Sequence, residues 1–69
     1  MLHYTFRWNT KTVRLSYSLE PTARGLQFVL DDVCATSLAA VEAVPDWKID
    51  LEASAAASQH GARYMSAIA

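Results

Sequence analysis

The side chains of the types needed for nucleophilic chemistry are Cys34, His60 and an acid such as Asp50. A thiol nucleophile requires a base within hydrogen-bond reach, and a third group must orient that base. Nothing in the spacing of these three residues indicates such an arrangement. Cys34 lies beside the apolar stripe of a predicted helix, where a free cysteine behaves as a small hydrophobic residue. We therefore expect no catalytic residues and a protein that is not an enzyme.

The sequence also contains no pattern typical of a metal site or a nucleotide site. His3 and His60 lack the compact His-x3-His or Cys-x2-Cys spacing of metal sites. The only glycines, Gly25 and Gly61, form no phosphate-binding loop. The sequence therefore predicts no metal and no cofactor.

The cellular compartment is indicated by the cysteine content and the hydropathy. A single cysteine, Cys34, excludes an internal disulfide and favours a reducing compartment, so we expect a cytoplasmic protein. Residues 1–8 lack the basic and apolar regions of a signal peptide. The longest uncharged stretch, Ala53–Ala62, is rich in Ala and Ser. A bilayer span needs about 20 apolar residues, so we expect no membrane association.

Two segments near the N-terminus alternate apolar and polar residues with the period of a β-strand. Their apolar residues are Leu2, Tyr4, Phe6 and Trp8 in the first, and Val13, Leu15, Tyr17 and Leu19 in the second. A slip of one residue would turn a whole strand over. A hairpin over residues 2–19 therefore needs a two-residue loop, with Phe6 opposite Val13, or a four-residue loop, with Trp8 opposite Val13. No Asn-Gly pair selects between the two lengths.

The rest of the chain carries helical signals. Apolar residues recur mostly three or four positions apart, at Leu26, Val29, Leu30, Val33, Leu38, Val41 and Val44. This spacing predicts a helix over about 22–44, with Pro21 near its first turn. Because Gly25 weakens that helix, the alternative is a third strand over Leu26–Leu30 and a helix that begins at Asp31 or Asp32. Pro45 ends the first helix, and Asp46 can cap a second helix, predicted over about 46–68.

The predicted fold class is α+β, with a two-stranded antiparallel β-hairpin followed by an antiparallel helical hairpin in a single domain over residues 1–69. Hydrophobic residues make up 52% of the chain, and a domain of about 60 residues buries only about 60% of the surface of its unfolded chain. Two such helices would leave an apolar stripe bare in a monomer. We therefore expect a homodimer with a four-helix core. The predicted dimer interface is Leu30, Val33, Val41, Ala55 and Ala62.

Charge is distributed unevenly around a net charge of −1. Residues 1–24 hold four basic residues against Glu20, a balance of +3, whereas residues 25–69 hold two against six carboxylates, a balance of −4. The hairpin's basic residues Arg7, Lys11 and Arg14 are candidates for contact with nucleic acid, because a two-stranded ribbon can enter the DNA major groove. In size, and in having β structure before two helices, the chain resembles ribbon-helix-helix repressors, which implies a small dimeric DNA-binding regulator. It departs from that family in having two local strands where the family has one.

Contact with a larger protein is the leading functional prediction. The predicted anchors are Trp8, Trp47, Arg63 and Tyr64, because Trp, Tyr and Arg dominate interface hot spots. The alternative roles are structural: Trp8 covers the edge of the core, and Trp47 closes the turn between the two helices. Short compact chains with Ala-rich helices resemble the phage accessory proteins that inhibit a host regulator, motor or defence complex, which implies a non-enzymatic inhibitor that occupies a host surface. A minor subunit of a large assembly is a further alternative.

Overall fold

The computed structural model describes residues 2–65, and these form four strands and two helices. In chain order they are β1 (Leu2–Trp8), β2 (Lys11–Thr22), β3 (Gly25–Cys34), α1 (Leu38–Glu42), α2 (Asp46–Gln59) and β4 (Arg63–Tyr64). The strands make one sheet in the order β1-β2-β3-β4, antiparallel except for the parallel pair β3–β4. The prediction of a two-stranded hairpin with a helical hairpin and a four-helix core is therefore wrong.

The hairpin formed by β1 and β2 has the two-residue loop, and the four-residue alternative is wrong. Phe6 pairs with Val13 and Trp8 pairs with Lys11, so the turn is Asn9-Thr10. Both turn residues have positive φ, 47° at Asn9 and 65° at Thr10. That is the type I′ conformation, whose twist matches the twist of the flanking strands.

The region from Gly25 to Cys34 is a strand, so the helix predicted over 22–44 is wrong there. The alternative of a strand over Leu26–Leu30 is confirmed, but helix α1 begins at Leu38 instead of Asp31 or Asp32. Gly25 has φ of +109°, which suits glycine at the tight turn that sends β3 back along β2. The helical interpretation left Phe28 outside its stripe, yet Phe28 is only 2% exposed and belongs to the core.

Helix α2 begins at Asp46 as predicted, but Pro45 takes the N-cap position and makes no side-chain cap hydrogen bond. The helix ends at Gln59, which is nine residues before the predicted end at 68. Gly61 has φ of +64°, and the amides of Gly61 and Ala62 donate to the carbonyls of Ser58 and Ala57. This pattern is a Schellman termination. Residues 66–68 of the predicted helix lie outside the described residues.

The core lies between one face of the sheet and α2. The fully buried large side chains are Val13 and Leu15 on β2. Against them pack Ala53, Ala56 and Ala57 of α2, each at most 2% exposed. The small side chains of this Ala-rich stretch bring α2 close to the sheet.

The five residues predicted to form the dimer interface do not lie together on helices, as a four-helix core would require. Leu30 and Val33 lie on β3 and pack partly buried against the core, as does Ala62 after α2. Val41 of α1 is half-buried, and Ala55 alone of the five is exposed. A common helical interface through these five residues does not exist in this fold.

Candidate functional site

The outward side of α2 carries large apolar side chains that the fold leaves in solvent. Trp47 is 62% exposed and Leu51, one helical turn further on, is 56% exposed. Ala55 follows at the next i+4 position and is also exposed. Side chains four apart share one side of a helix, so these residues form a continuous row that we call the outward stripe (Trp47, Leu51 and Ala55).

The opposite side of the same helix explains why this row faces outward. Ala53, Ala56 and Ala57 are buried against the sheet, and Ile49 is packed partly buried beside them. Their spacing fixes the rotation of α2 about its axis. The outward stripe then has no place in the core, although its residues are as apolar as those of the buried side.

The ring of Trp47 contacts the β1–β2 hairpin. Its ring meets the ring of Trp8 edge to face, and the ring centroids are 5.9 Å apart. The Lys48 ammonium lies 6.0 Å from the centroid of the Trp8 ring and 5.7 Å from that of Phe6, within cation–π range. Within the described part of the chain, the Trp8 indole Nε1 is buried and has no hydrogen-bond partner.

A polar link ties α2 to β1 beside this contact. Glu52 accepts a hydrogen bond from the Tyr4 hydroxyl at 3.1 Å and pairs with the Lys48 ammonium at 3.1 Å. Burial raises the pKa of Tyr4, and the hydrogen bond and the negative charge of Glu52 raise it further. Tyr4 therefore stays protonated and serves as a donor at neutral pH.

The exposed charges around the outward stripe are acidic. Glu42 at the end of α1 and Asp46 at the start of α2 are exposed. Over residues 38–59 there are four carboxylates (Glu42, Asp46, Asp50 and Glu52) against Lys48 alone, a balance of −3. A surface that covers the outward stripe would therefore meet negative charge at its rim.

The structure brings only two of the four predicted anchors together. Trp8 and Trp47 are in contact, whereas Arg63 and Tyr64 lie on β4 at the other end of the strand order. Tyr64 faces inward, since its ring meets that of Phe28 at 5.6 Å and its hydroxyl donates to Asp50 Oδ1 at 2.7 Å. Arg63 is exposed and lines a groove of about 310 Å³ with Arg24, Leu26 and Met65. Leu51 was not predicted, because its i+4 spacing from Trp47 does not show by itself which side of the helix is exposed.

The basic residues of the hairpin are divided between two faces. Arg7 and Arg14 lie on the outer face of the sheet, away from α2, together with Thr5 and Thr12. Lys11 pairs with Trp8 and therefore lies on the inner face of the sheet, toward α2. The Arg7 guanidinium donates to its own turn at the Thr10 carbonyl, 3.2 Å away.

The same outer face also carries acids from β3. Between Ser16 and Tyr17 the register shifts, so that Asp32 pairs with Ser16 while Asp31 is the extra residue of a bulge. Asp31 accepts from the Ser18 hydroxyl at 3.1 Å, which places its carboxylate on the outer face. The outer face is therefore mixed in charge, which is unfavourable for binding a polyanion. The nucleic-acid role of Arg7, Lys11 and Arg14 stays a prediction.

The residues considered for thiol chemistry each have a different partner. The Cys34 thiol donates to Asp32 Oδ2 at 3.0 Å, and this hydrogen bond is the main cause that raises the pKa of Cys34. The hydroxyl of Tyr17 is 2.6 Å from His60 Nε2, and Asp50 accepts from Tyr64. A thiol whose pKa is raised is a poor nucleophile at neutral pH.

No cluster of three or more His, Cys, Asp or Glu side chains within residues 2–65 is arranged to hold a metal ion. No helix in this range is long and apolar enough to cross a bilayer.

Comparison of the chain with known protein families, with curated proteins and with solved structures finds no match.

Proposed function

We propose that this protein is a small non-enzymatic binding module, and that it acts by laying the outward stripe of α2 into an apolar groove on a larger protein. The single observation that carries the proposal is the exposure of Trp47 (62%) and Leu51 (56%) on one side of the same helix. A helix that docks in a groove uses apolar anchors three or four residues apart along one side, and Trp47, Leu51 and Ala55 are each four residues apart.

The two large side chains of the outward stripe, Trp47 and Leu51, are expected to supply most of the binding free energy. A Trp at the centre of an interface often accounts for 2 kcal/mol or more of binding free energy, about 30-fold in affinity. Trp47 already has its ring fixed on one side by Trp8. Less conformational entropy is then lost on binding, because the side chain is partly ordered in the free protein.

The charge of the surface defines the chemistry of the partner. The exposed carboxylate Asp46 is next to Trp47 in the chain, and Glu42 is exposed at the end of the preceding helix α1. A groove with Lys or Arg side chains along its rim would be complementary to them, and such charges guide association more than they add affinity. Occupation of a groove blocks whatever else that groove binds, which is the mode of action of an inhibitor, and this is the role we propose for the chain.

The test compares three forms of the chain as affinity bait in lysate of the source organism, with and without nuclease. The binding variant is Trp47→Ser combined with Leu51→Ser, two exposed positions whose change leaves the core intact. The matched control is Met65→Ser, which removes a side chain that is 71% exposed at the far edge of the sheet.

We expect one protein to be retained by the wild type and by the control, independently of nuclease, and to be lost from the double variant. Titration calorimetry with that purified protein should then show an affinity at least about 30-fold lower for the double variant. Equal retention by all three forms would contradict the proposal, and retention that depends on nucleic acid would favour the hairpin arginines instead.

A further inference from the structure

Strand β1 forms one edge of the sheet and pairs on one side only. Its partner is β2, along all seven residues from Leu2 to Trp8. Among the described residues no strand pairs with its other side. A row of unpaired backbone N–H and C=O groups at an edge is a template for another strand, and proteins commonly protect such edges with charged side chains, especially Lys, with Pro or with a bulge. β1 contains no Lys, Pro or bulge, and its one charged side chain, Arg7, donates to the Thr10 carbonyl of its own turn.

The geometry of the hairpin determines which backbone groups point to the free edge. In a two-residue turn the flanking residues, here Trp8 and Lys11, form a hydrogen-bonded pair. Hydrogen-bonded and non-hydrogen-bonded pairs alternate along an antiparallel ladder. Therefore His3, Thr5 and Arg7 direct their N–H and C=O groups away from β2.

A side-chain contact agrees with this assignment. His3 and Ser16 form a non-hydrogen-bonded pair in the deduced pattern, and side chains lie closest together in pairs of that kind. Their side chains are in contact, with 3.2 Å between His3 Nδ1 and Ser16 Oγ.

We infer that β1 is a homodimerisation strand, which pairs antiparallel with β1 of a second copy about a two-fold axis at Thr5. In this register Thr5 faces Thr5, and His3 of each copy faces Arg7 of the other. All three residues with free backbone groups then pair with one another, for about six inter-chain hydrogen bonds. A register centred on Tyr4 or on Phe6 would form only about four.

The side chains match in the same register. On the inner face Leu2 meets Trp8 of the other copy and Tyr4 meets Phe6, so apolar residues face apolar residues across the axis. Leu2 is 42% exposed in the single chain, and this pairing would cover it. On the outer face no two like charges are directly opposite, whereas centring the axis on Arg7 would oppose two arginines. The Arg7 side chain is already directed to its own turn.

This inference uses a different surface from the outward stripe and does not rest on the proposed function. It replaces a helical interface with a continuous sheet that runs through both copies. The surface buried by pairing one strand edge is small, which places the dimer among the weaker specific complexes.

The experiment uses the position of Thr5 on the two-fold axis, where it faces Thr5 of the second chain. Two variants, Thr5→Lys and Thr5→Glu, are prepared, and circular dichroism checks that each is folded. Analytical ultracentrifugation then measures the mass of wild type, of each variant and of an equimolar mixture, at high micromolar concentration. The control is Thr22→Lys, an exposed position at the far end of β2 that does not pair with β1.

We expect the wild type and the control to be dimers. Each Thr5 variant should be a monomer, because two like charges would meet on the axis. The equimolar mixture should again form a dimer, of one Lys chain and one Glu chain. A monomeric wild type would overturn the inference. Thr5 variants that remain dimeric would also overturn it, as would a mixture that stays monomeric, because either result places the contact away from Thr5.

Discussion

The ring of Trp47 stands edge to face on the ring of Trp8, with 5.9 Å between centroids and 81° between the ring planes. The two residues play different roles although both are tryptophans near a turn. Trp8 packs against the core, whereas Trp47 is mostly in solvent. An aromatic pair of this kind contributes about 0.5–1.5 kcal/mol beyond its buried area. The contact therefore joins the hairpin to the outward stripe and makes a small contribution to the stability of the fold.

The closeness of α2 to the sheet leads to a first prediction. Ala56 is fully buried between the helix and the sheet, and Ala55 beside it is exposed. Ala56→Leu should lower the free energy of unfolding by about 1–3 kcal/mol, because no space exists for the added atoms. Ala55→Leu, with the same change in helix propensity, should stay within about 0.5 kcal/mol of the wild type.

Urea denaturation followed by circular dichroism measures both variants. If the two leucines cost the same free energy, the Ala-rich face is not the contact between α2 and the sheet.

The position of β3 shows why the fold was only partly predictable from the sequence. The β1–β2 hairpin was predictable because its evidence is local, in the alternation of Phe6 and Trp8 with polar residues. From Leu26 to Val33 the apolar spacing favours a helix, although it also fits a strand. What decides between them is the pairing of β3 with β2 along nine residue pairs, which no local pattern contains.

The candidate site was predictable to a similar extent. Trp47 could be nominated from its residue type and its place beside Pro45. Leu51 could not be separated from core residues, because its exposure depends on the rotation of α2. That rotation is set by Ala53, Ala56 and Ala57, which pack on the sheet where a second helix was expected. The end of α2 at Gly61 was a readable signal, since glycine commonly ends helices in this conformation.

The contact between Cys34 and Asp32 leads to a second prediction, on thiol reactivity. The hydrogen bond to Asp32 raises the pKa of Cys34 above its ordinary value, with burial and the charge of Asp32 adding to it, while Arg14 opposes the shift. Replacing Asp32 with Asn removes the carboxylate, so the pKa of Cys34 should fall and the thiolate should form at lower pH. Alkylation by iodoacetamide at neutral pH should then be faster than in the wild type.

The matched control is Asp31→Asn. This carboxylate neighbours Asp32 in sequence but bonds to Ser18. The rate of alkylation measured across a pH series should give an unchanged Cys34 pKa for this variant. An equal effect of both variants would mean that general negative charge, and not the hydrogen bond from the thiol, suppresses the reactivity.

The turn at Asn9-Thr10 gives a third prediction, in which the sign differs between two similar substitutions. Thr10 holds a φ of 65°, a left-handed conformation that disfavours β-branched residues by roughly 1–2 kcal/mol. Thr10→Gly creates the Asn-Gly sequence that type I′ turns prefer. After subtraction of the greater freedom of glycine in the unfolded chain, a net gain of about 0.5 kcal/mol is expected. Thr12→Gly, two residues later within β2, should instead destabilise by up to about 1 kcal/mol, because glycine is unfavourable in a strand. Thermal unfolding of the two variants should therefore move the Tm in opposite directions, and a lower Tm for Thr10→Gly would show that the turn is not left-handed at this residue.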